Sequence, residues 1–158
     1  FSYHGVPERH IRKSDVTQSH CKMDGKCCFS ESPAHAYCYR HQCEMTTVKV
    51  AEYLELKEGT FSTSFQSRVS ILGSWLKPYT DETVAAFAEQ GTKELAIATP
   101  AFVSDCLETL EEIGMEAAED FEEKGGAHLH VIPCINDREE WVNVMSRWVD
   151  EWAQTKSV

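Results

Sequence analysis

From Glu94 to Glu123 the chain contains no lysine and no arginine. The imbalance is also global: 15 Lys and Arg face 26 Asp and Glu, a formal net charge of −11. Nucleic acid is excluded as a partner on that ground, because phosphate binding needs a basic surface. A surface of this sign attracts cations instead. No apolar run reaches membrane-spanning length, and no signal-peptide pattern is visible. No pair of C-x2-C knuckles occurs, which disfavours a zinc ribbon. Internal repeats and low-complexity segments are absent. There is no initiator methionine: the chain opens on Phe1-Ser2-Tyr3-His4, which predicts a fragment or processed piece beginning at the end of a strand.

What is present is a chain of 158 residues, enough for one domain with a real core. Cysteine is abundant: Cys21, Cys27, Cys28, Cys38 and Cys43 fall in one short segment, and Cys106 and Cys134 stand alone. A secreted disulfide framework spreads its cysteines over a small, loop-rich chain. Here the remainder alternates regularly between strand and helix patterns. A metal or iron–sulfur site in a reducing compartment, hence a cytoplasmic location, is the expectation.

Phe1–Tyr3 reads as a strand end, followed by the loop His4-Gly5-Val6-Pro7. Residues 9–42 form a polar, Cys- and His-rich excursion, read as a loop stapled by a metal centre, since so long a structureless loop is uncommon in a compact domain. A helix is expected over Met45–Leu56 and a strand over Thr60–Gln66. Thr80 is read as the N-cap of a helix that stops at Gly91. Leu95–Thr99 and His128–Ile132 read as strands. A last helix runs from Asp137 or Arg138 to about Gln154 with Trp141, Val144, Met145, Trp148 and Trp152 on its apolar face. This order implies βαβ units: an α/β fold with a doubly wound, mostly parallel sheet flanked by helices. Such sheets bind ligands at the carboxyl ends of their strands. His4, Gln66-Ser67-Arg68 and Ser104–Glu108 all fall there.

Between the last two strands lies an acidic helix in which Glu108, Glu112 and Glu116 recur every four residues. Each step of four drifts by only about 40° and climbs about 6 Å in an α-helix; a π-type turn would align the row further. One reading is a solvated acidic face. The other is a track for a divalent cation, since carboxylate oxygens are hard ligands.

Four blocks then carry a resemblance. Ser2-Tyr3-His4-Gly5-Val6-Pro7, Gln66-Ser67-Arg68, Trp75-Leu76-Lys77-Pro78-Tyr79-Thr80-Asp81-Glu82 and Phe102–Leu110 resemble, in order, the signature blocks of ferrochelatases. The resemblance covers the carboxyl-terminal half of that enzyme, residues 1–158 here, with a Cys-rich insert at about 20–43. It implies a chelatase-like, Rossmann-like half. The implied activity is insertion of Fe²⁺ into protoporphyrin or coproporphyrin to form haem. His4 is similar to the residue that accepts pyrrole protons or ligates the incoming metal, and Glu108 to the carboxylate opposite it. Glu112 and Glu116 resemble the acidic line serving the metal. Trp75, with Ser67 and Arg68, is similar to porphyrin-contacting positions. The family's other half, which supplies much of the porphyrin pocket, is the implied partner, so the isolated chain is expected to be weak or inactive. Apolar substrates imply peripheral contact with the inner membrane. A neutral imidazole suits such chemistry because its reference pKa is about 6.5.

Two departures from the family are visible. The Val69–Ser74 segment looks one residue longer than common bacterial forms. Cys106 stands where many members have histidine, and reads as either a soft ligand or a buried inert thiol. The cysteine spacing C-x5-C-C-x9-C-x4-C resembles the internal [2Fe–2S] arrangement of certain bacterial ferrochelatases. It implies Cys21, Cys28, Cys38 and Cys43 as ligands, with Cys27 as the alternative to Cys28. Zinc held by these cysteines with His20, His35 or His41 is the second reading. Two rivals remain for the whole: a cobalt or nickel chelatase of another tetrapyrrole, and a non-catalytic iron–sulfur module.

Overall fold

The structure is a computed structural model that describes residues 1–69 and 73–156. The expectation for the Val69–Ser74 segment lies partly outside the described residues. Among the described residues, four short strands form two parallel pairs: β1 (Ser2–His4) with β2 (Ser64–Gln66), and β3 (Glu94–Ile97) with β4 (His128–Val131). The register sets His4 opposite Gln66 and Glu94 opposite His128. The Ser2 N–H donates to the carbonyl of Ala98 at 2.8 Å, which sets β1 beside the end of β3. The two parallel pairs are separate two-stranded sheets linked through this bond, and with the helices between the strands they make the α/β architecture expected.

The helices are α1 (Glu8–Ser14), α2 (Tyr39–Tyr53), α3 (Thr80–Glu89), a π-helix (Glu108–Glu116) running into α4 (Ala117–Glu123), and α5 (Glu139–Lys156). Two apolar clusters result. Tyr3, Ile11, Cys43, Phe65 and Leu76 fill the first, beneath β1 and β2. Val84, Ala88, Ile97, Ile113 and Phe121 fill the second, between α3, the acidic helix and β3. Strand interiors supply β-formers to each, and Ile113 and Phe121 project inward from an otherwise acidic helix.

Several boundaries differ from expectation. The strand expected at Thr60–Gln66 pairs only from Ser64 onward. The excursion expected at residues 9–42 contains α1 and two 3-10 turns, Lys26–Phe29 and Pro33–Tyr37, and α2 begins at Tyr39 rather than Met45. Thr80 is not an N-cap. It lies inside α3, buried, with its hydroxyl 2.8 Å from Ser2 Oγ and 2.9 Å from Ser64 Oγ, so a tertiary network takes the oxygen that capping would have used. Chain reversal after α3 and α4 does use glycine, Gly91 at φ +94° and Gly125 at φ +99°. The apolar stripe on α5 exists, but Trp148 and Trp152 are 52% and 63% exposed, so within this chain it covers little.

Candidate active site

His4 ends β1, and the backbone turns away at once through Gly5. Its Nδ1 is 2.6 Å from the Gly5 carbonyl oxygen. A carbonyl only accepts, so Nδ1 carries the proton and the neutral ring keeps its lone pair on Nε2. Tyr39 Oη donates to the His4 carbonyl at 2.9 Å, pinning the strand end to α2. Phe102 stands beside the imidazole, ring centroids 6.2 Å apart.

Glu108, Glu112 and Glu116 lie on the π-helix, whose i→i+5 bonding brings residues four apart closer to one line than an α-helix does. Glu108 and Glu112 are half-buried and Glu116 is exposed, so the row runs outward from the interior. All three line a cleft of about 550 Å³ together with Gln66, Ser67, Arg68, Tyr79 and Asp81. Glu108 is held below the usual carboxylate range. The Cys106 thiol contributes most, then the residue's own backbone N–H, and His4 adds a smaller electrostatic part. His4 itself is not among the residues lining the cleft.

Glu112 is gripped by the end of β2. Ser67 N–H donates to Oε1 at 2.6 Å, and Ser67 Oγ donates a short bond to Oε2. Gln66 Nε2 donates to Oε2 at 3.2 Å and to the main-chain oxygen of Glu108 at 2.9 Å. The Gln66 amide is oriented from behind: its Oε1 accepts from Ser2 Oγ at 2.7 Å. A buried chain of polar groups therefore joins α3, β1, β2 and the acidic helix.

The start of the π-helix has a second anchor. Asp105 accepts from Asn136 Nδ2 at 2.7 Å and from Thr109 Oγ1 at 3.1 Å, and its own N–H donates to Asn136 Oδ1 at 2.9 Å. These bonds, that from Asn136 first, hold Asp105 below the usual carboxylate range. Trp75 is buried and bridges to Pro7, outside the cleft lining; Leu76 N–H donates to the Val6 carbonyl at 3.0 Å. Its position suits it to back the loop that follows His4. Arg68 is exposed and lies over the Tyr79 ring, 4.3 Å from its centroid.

In the insert, Cys21, Cys27, Cys28 and Cys38 line one small pocket with His20 and His35. Cys28 donates to Cys38, which pushes Cys28 up and lowers Cys38 to about 6. Cys43 is buried beside Tyr3 and Ile11, and burial raises it to about 12. His20 Nε2 and His35 Nε2 lie 2.9 and 3.0 Å from the Cys27 carbonyl, and His41 stacks on His35 at 3.7 Å. Thiols are soft donors suited to iron–sulfur or zinc chemistry. Among the described residues, however, no group of three or more ligating side chains is already arranged around a metal position.

Sequence reasoning missed the anchoring parts of the site: Ser2, Thr80, Tyr39 and Asn136. Ser2 and Thr80 sit inside the recognised blocks, and their signal was a polar residue at a position that must be buried. Asn136 and Tyr39 lie outside every block and gave none.

The chain matches the ferrochelatase family over residues 1–153. It is 43% identical over 146 residues to a ferrochelatase of Pseudomonas syringae pv. tomato, covering 92% of this chain and 43% of that protein. It is 46% identical over 145 residues to one of Stutzerimonas stutzeri, covering 91% of this chain and 42% of the relative. A ferrochelatase of Opitutus terrae is 43% identical over 154 residues, covering 98% of this chain and 44% of the relative. The chain thus spans less than half the length of the curated relatives it matches. A histidine closing one strand, a row of acids along the π-helix and this likeness along nearly the whole chain agree: the chain belongs to the ferrochelatase family.

Proposed function

We propose that this chain is the metal-handling half of a ferrochelatase that inserts Fe²⁺ into protoporphyrin or coproporphyrin, releasing two pyrrole protons. The observation that carries the reading is the outward row Glu108, Glu112, Glu116 on a π-helix that lines the cleft. The imidazole Nε2 accepts a pyrrole proton or ligates the arriving ion. Glu108 holds the dication opposite or takes the second proton. Glu116, the exposed member, meets the hydrated ion first. Ser67 and Arg68 face the porphyrin side of the cleft, and Trp75 backs the His4 loop. The remaining half of the full-length protein completes the porphyrin pocket.

The insert is proposed to hold a [2Fe–2S] cluster through Cys21, Cys28, Cys38 and Cys43, with Cys27 as the alternative to Cys28. When bound, the cluster would staple the excursion; no step of metal insertion is assigned to it. Zinc with His20 or His35 is the competing occupant, favoured by the two rings beside the thiols. A cytoplasmic location, with peripheral contact at the inner membrane for an apolar substrate, fits this chemistry.

The test is anaerobic incubation of the full-length protein with Fe²⁺ and each porphyrin, followed by haem absorbance. Haem formation that needs His4 and Glu108 supports the reading. No insertion of iron, with cobalt or nickel taken up into another tetrapyrrole instead, overturns it.

A further inference from the structure

The row of three carboxylates is not uniform. A carboxylate offers about four lone-pair positions. On Glu112 three of them are occupied: Oε1 by the Ser67 N–H, and Oε2 by Ser67 Oγ and Gln66 Nε2. At most one position, on Oε1, is left to bind anything else. Neither Glu108 nor Glu116 receives a side-chain clamp of this kind among the described residues.

The clamp is built at a cost to the backbone. Ser67 has φ +60°, in the left-handed region that a residue with a Cβ seldom enters. This conformation directs its N–H and its hydroxyl to the same carboxylate. Gln66 is buried and has a single consistent amide orientation: its oxygen faces the Ser2 hydroxyl, and its NH₂ faces a carbonyl and a carboxylate. The Gln66 bond to the Glu108 carbonyl fixes the first residue of the π-helix from the same side. Strand end and acidic helix are thus locked in one register.

We infer that Gln66 and Ser67 are positioning residues that immobilise Glu112. They restrict it to one-point contact with a passing cation, so that the ion is handed between Glu116 and Glu108 and is not trapped midway. This rests on the proposed metal-handling role of the row. Tight two-point chelation at the middle of a track would bind the ion in transit better than at its destination and slow delivery.

The test uses Mn²⁺ binding to the full-length protein, followed by electron paramagnetic resonance of the free ion. Mn²⁺ is a hard cation with little affinity for thiols, so the cysteine insert does not interfere. Ser67→Gly removes the hydroxyl, keeps the N–H and tolerates a positive φ, so the fold survives. Releasing Glu112 Oε2 should tighten Mn²⁺ by about fivefold, and adding Glu112→Gln should cancel the gain. In iron insertion, Ser67→Gly should lower KM for iron and kcat together, kcat by roughly tenfold. A merely structural role would lower kcat and stability with no gain in metal affinity. Mn²⁺ affinity that is unchanged, weakened or undetectable in Ser67→Gly overturns the inference, as does a gain that persists in the double variant. If the wild-type protein forms no haem, the proposed function fails, while the Mn²⁺ comparison still decides the clamp.

Discussion

Gly5 and Gln66 are in closer contact than any side chain would permit. The Gly5 N–H donates to the Gln66 carbonyl at 2.7 Å, and a Cβ on Gly5 would stand 2.8 Å from that same oxygen. The Trp75 ring would lie in ordinary contact with the same Cβ, at 3.5 Å. Gly5→Ala must therefore push the two strand ends apart. A loss of about 1–3 kcal/mol in denaturant unfolding of the full-length protein is expected. His4 and Gln66 both move with the strand ends, so activity should fall further than the stability loss accounts for. A variant as stable and active as the wild type would show that the close approach is not maintained in solution.

His4 and Glu108 are the pair on which the chemistry rests. His4→Ala and Glu108→Gln should each lower kcat for iron insertion by roughly 10²–10⁴. Both side chains are only partly buried, so the melting temperature should change little. Loss of activity in step with loss of structure would argue against direct roles. The isolated 158-residue chain should turn over poorly beside the full-length protein, because the relatives it matches are more than twice its length; equal turnover would remove the need for a second half.

What the sequence disclosed was the short-range part. Alternating strands and helices, glycine stops after α3 and α4, and the four-residue spacing of the acids are local patterns. What it hid was long-range. Thr80 looked like a cap because a threonine precedes two acids, and nothing local reveals that Ser2 and Ser64 claim its hydroxyl. The π-helix was no more than one option, since four-residue spacing of acids fits an α-helix as well. Trp75 was legible only through the resemblance, and its bridge partner Pro7 is far away in sequence. The stripe of α5 is legible as amphipathic, but among the described residues Trp148 and Trp152 remain exposed.

Asp105 gives a pH dependence with a definite sign. Its hydrogen bonds, that from Asn136 foremost, hold its pKa below the ordinary value of 3.8. A lowered folded-state pKa stabilises the fold above the unfolded value, and that contribution disappears as pH falls through the folded one. Melting temperature should thus drop below about pH 4 in the wild type. Asp105→Asn should be less stable at neutral pH and show a shallower acid limb. Thermal melts of the full-length protein across this range decide the matter; parallel curves would mean that the carboxylate makes no net contribution in the native state.

The five clustered thiols are chemically distinct. Cys28 and Cys38 already share a hydrogen bond, whereas Cys27 is only half-buried in the 3-10 turn that holds Cys28. Cys43 projects into the insert's base from α2, close enough for Cys38 to help raise it. A four-thiolate cluster accordingly should survive Cys27→Ser and be lost on serine substitution of Cys21, Cys28, Cys38 or Cys43. The measurement is iron and acid-labile sulfide content, with visible absorption, of freshly purified full-length protein. Loss of the cluster in Cys27→Ser with retention in Cys43→Ser would exchange those two ligands. One equivalent of zinc without sulfide would replace the cluster by a zinc site. Removal of the bound group should loosen residues 15–38, which contain only short 3-10 turns, before it affects β1 or the π-helix. Hydrogen exchange confined to that segment is therefore the expected signature of a staple rather than of a catalytic centre.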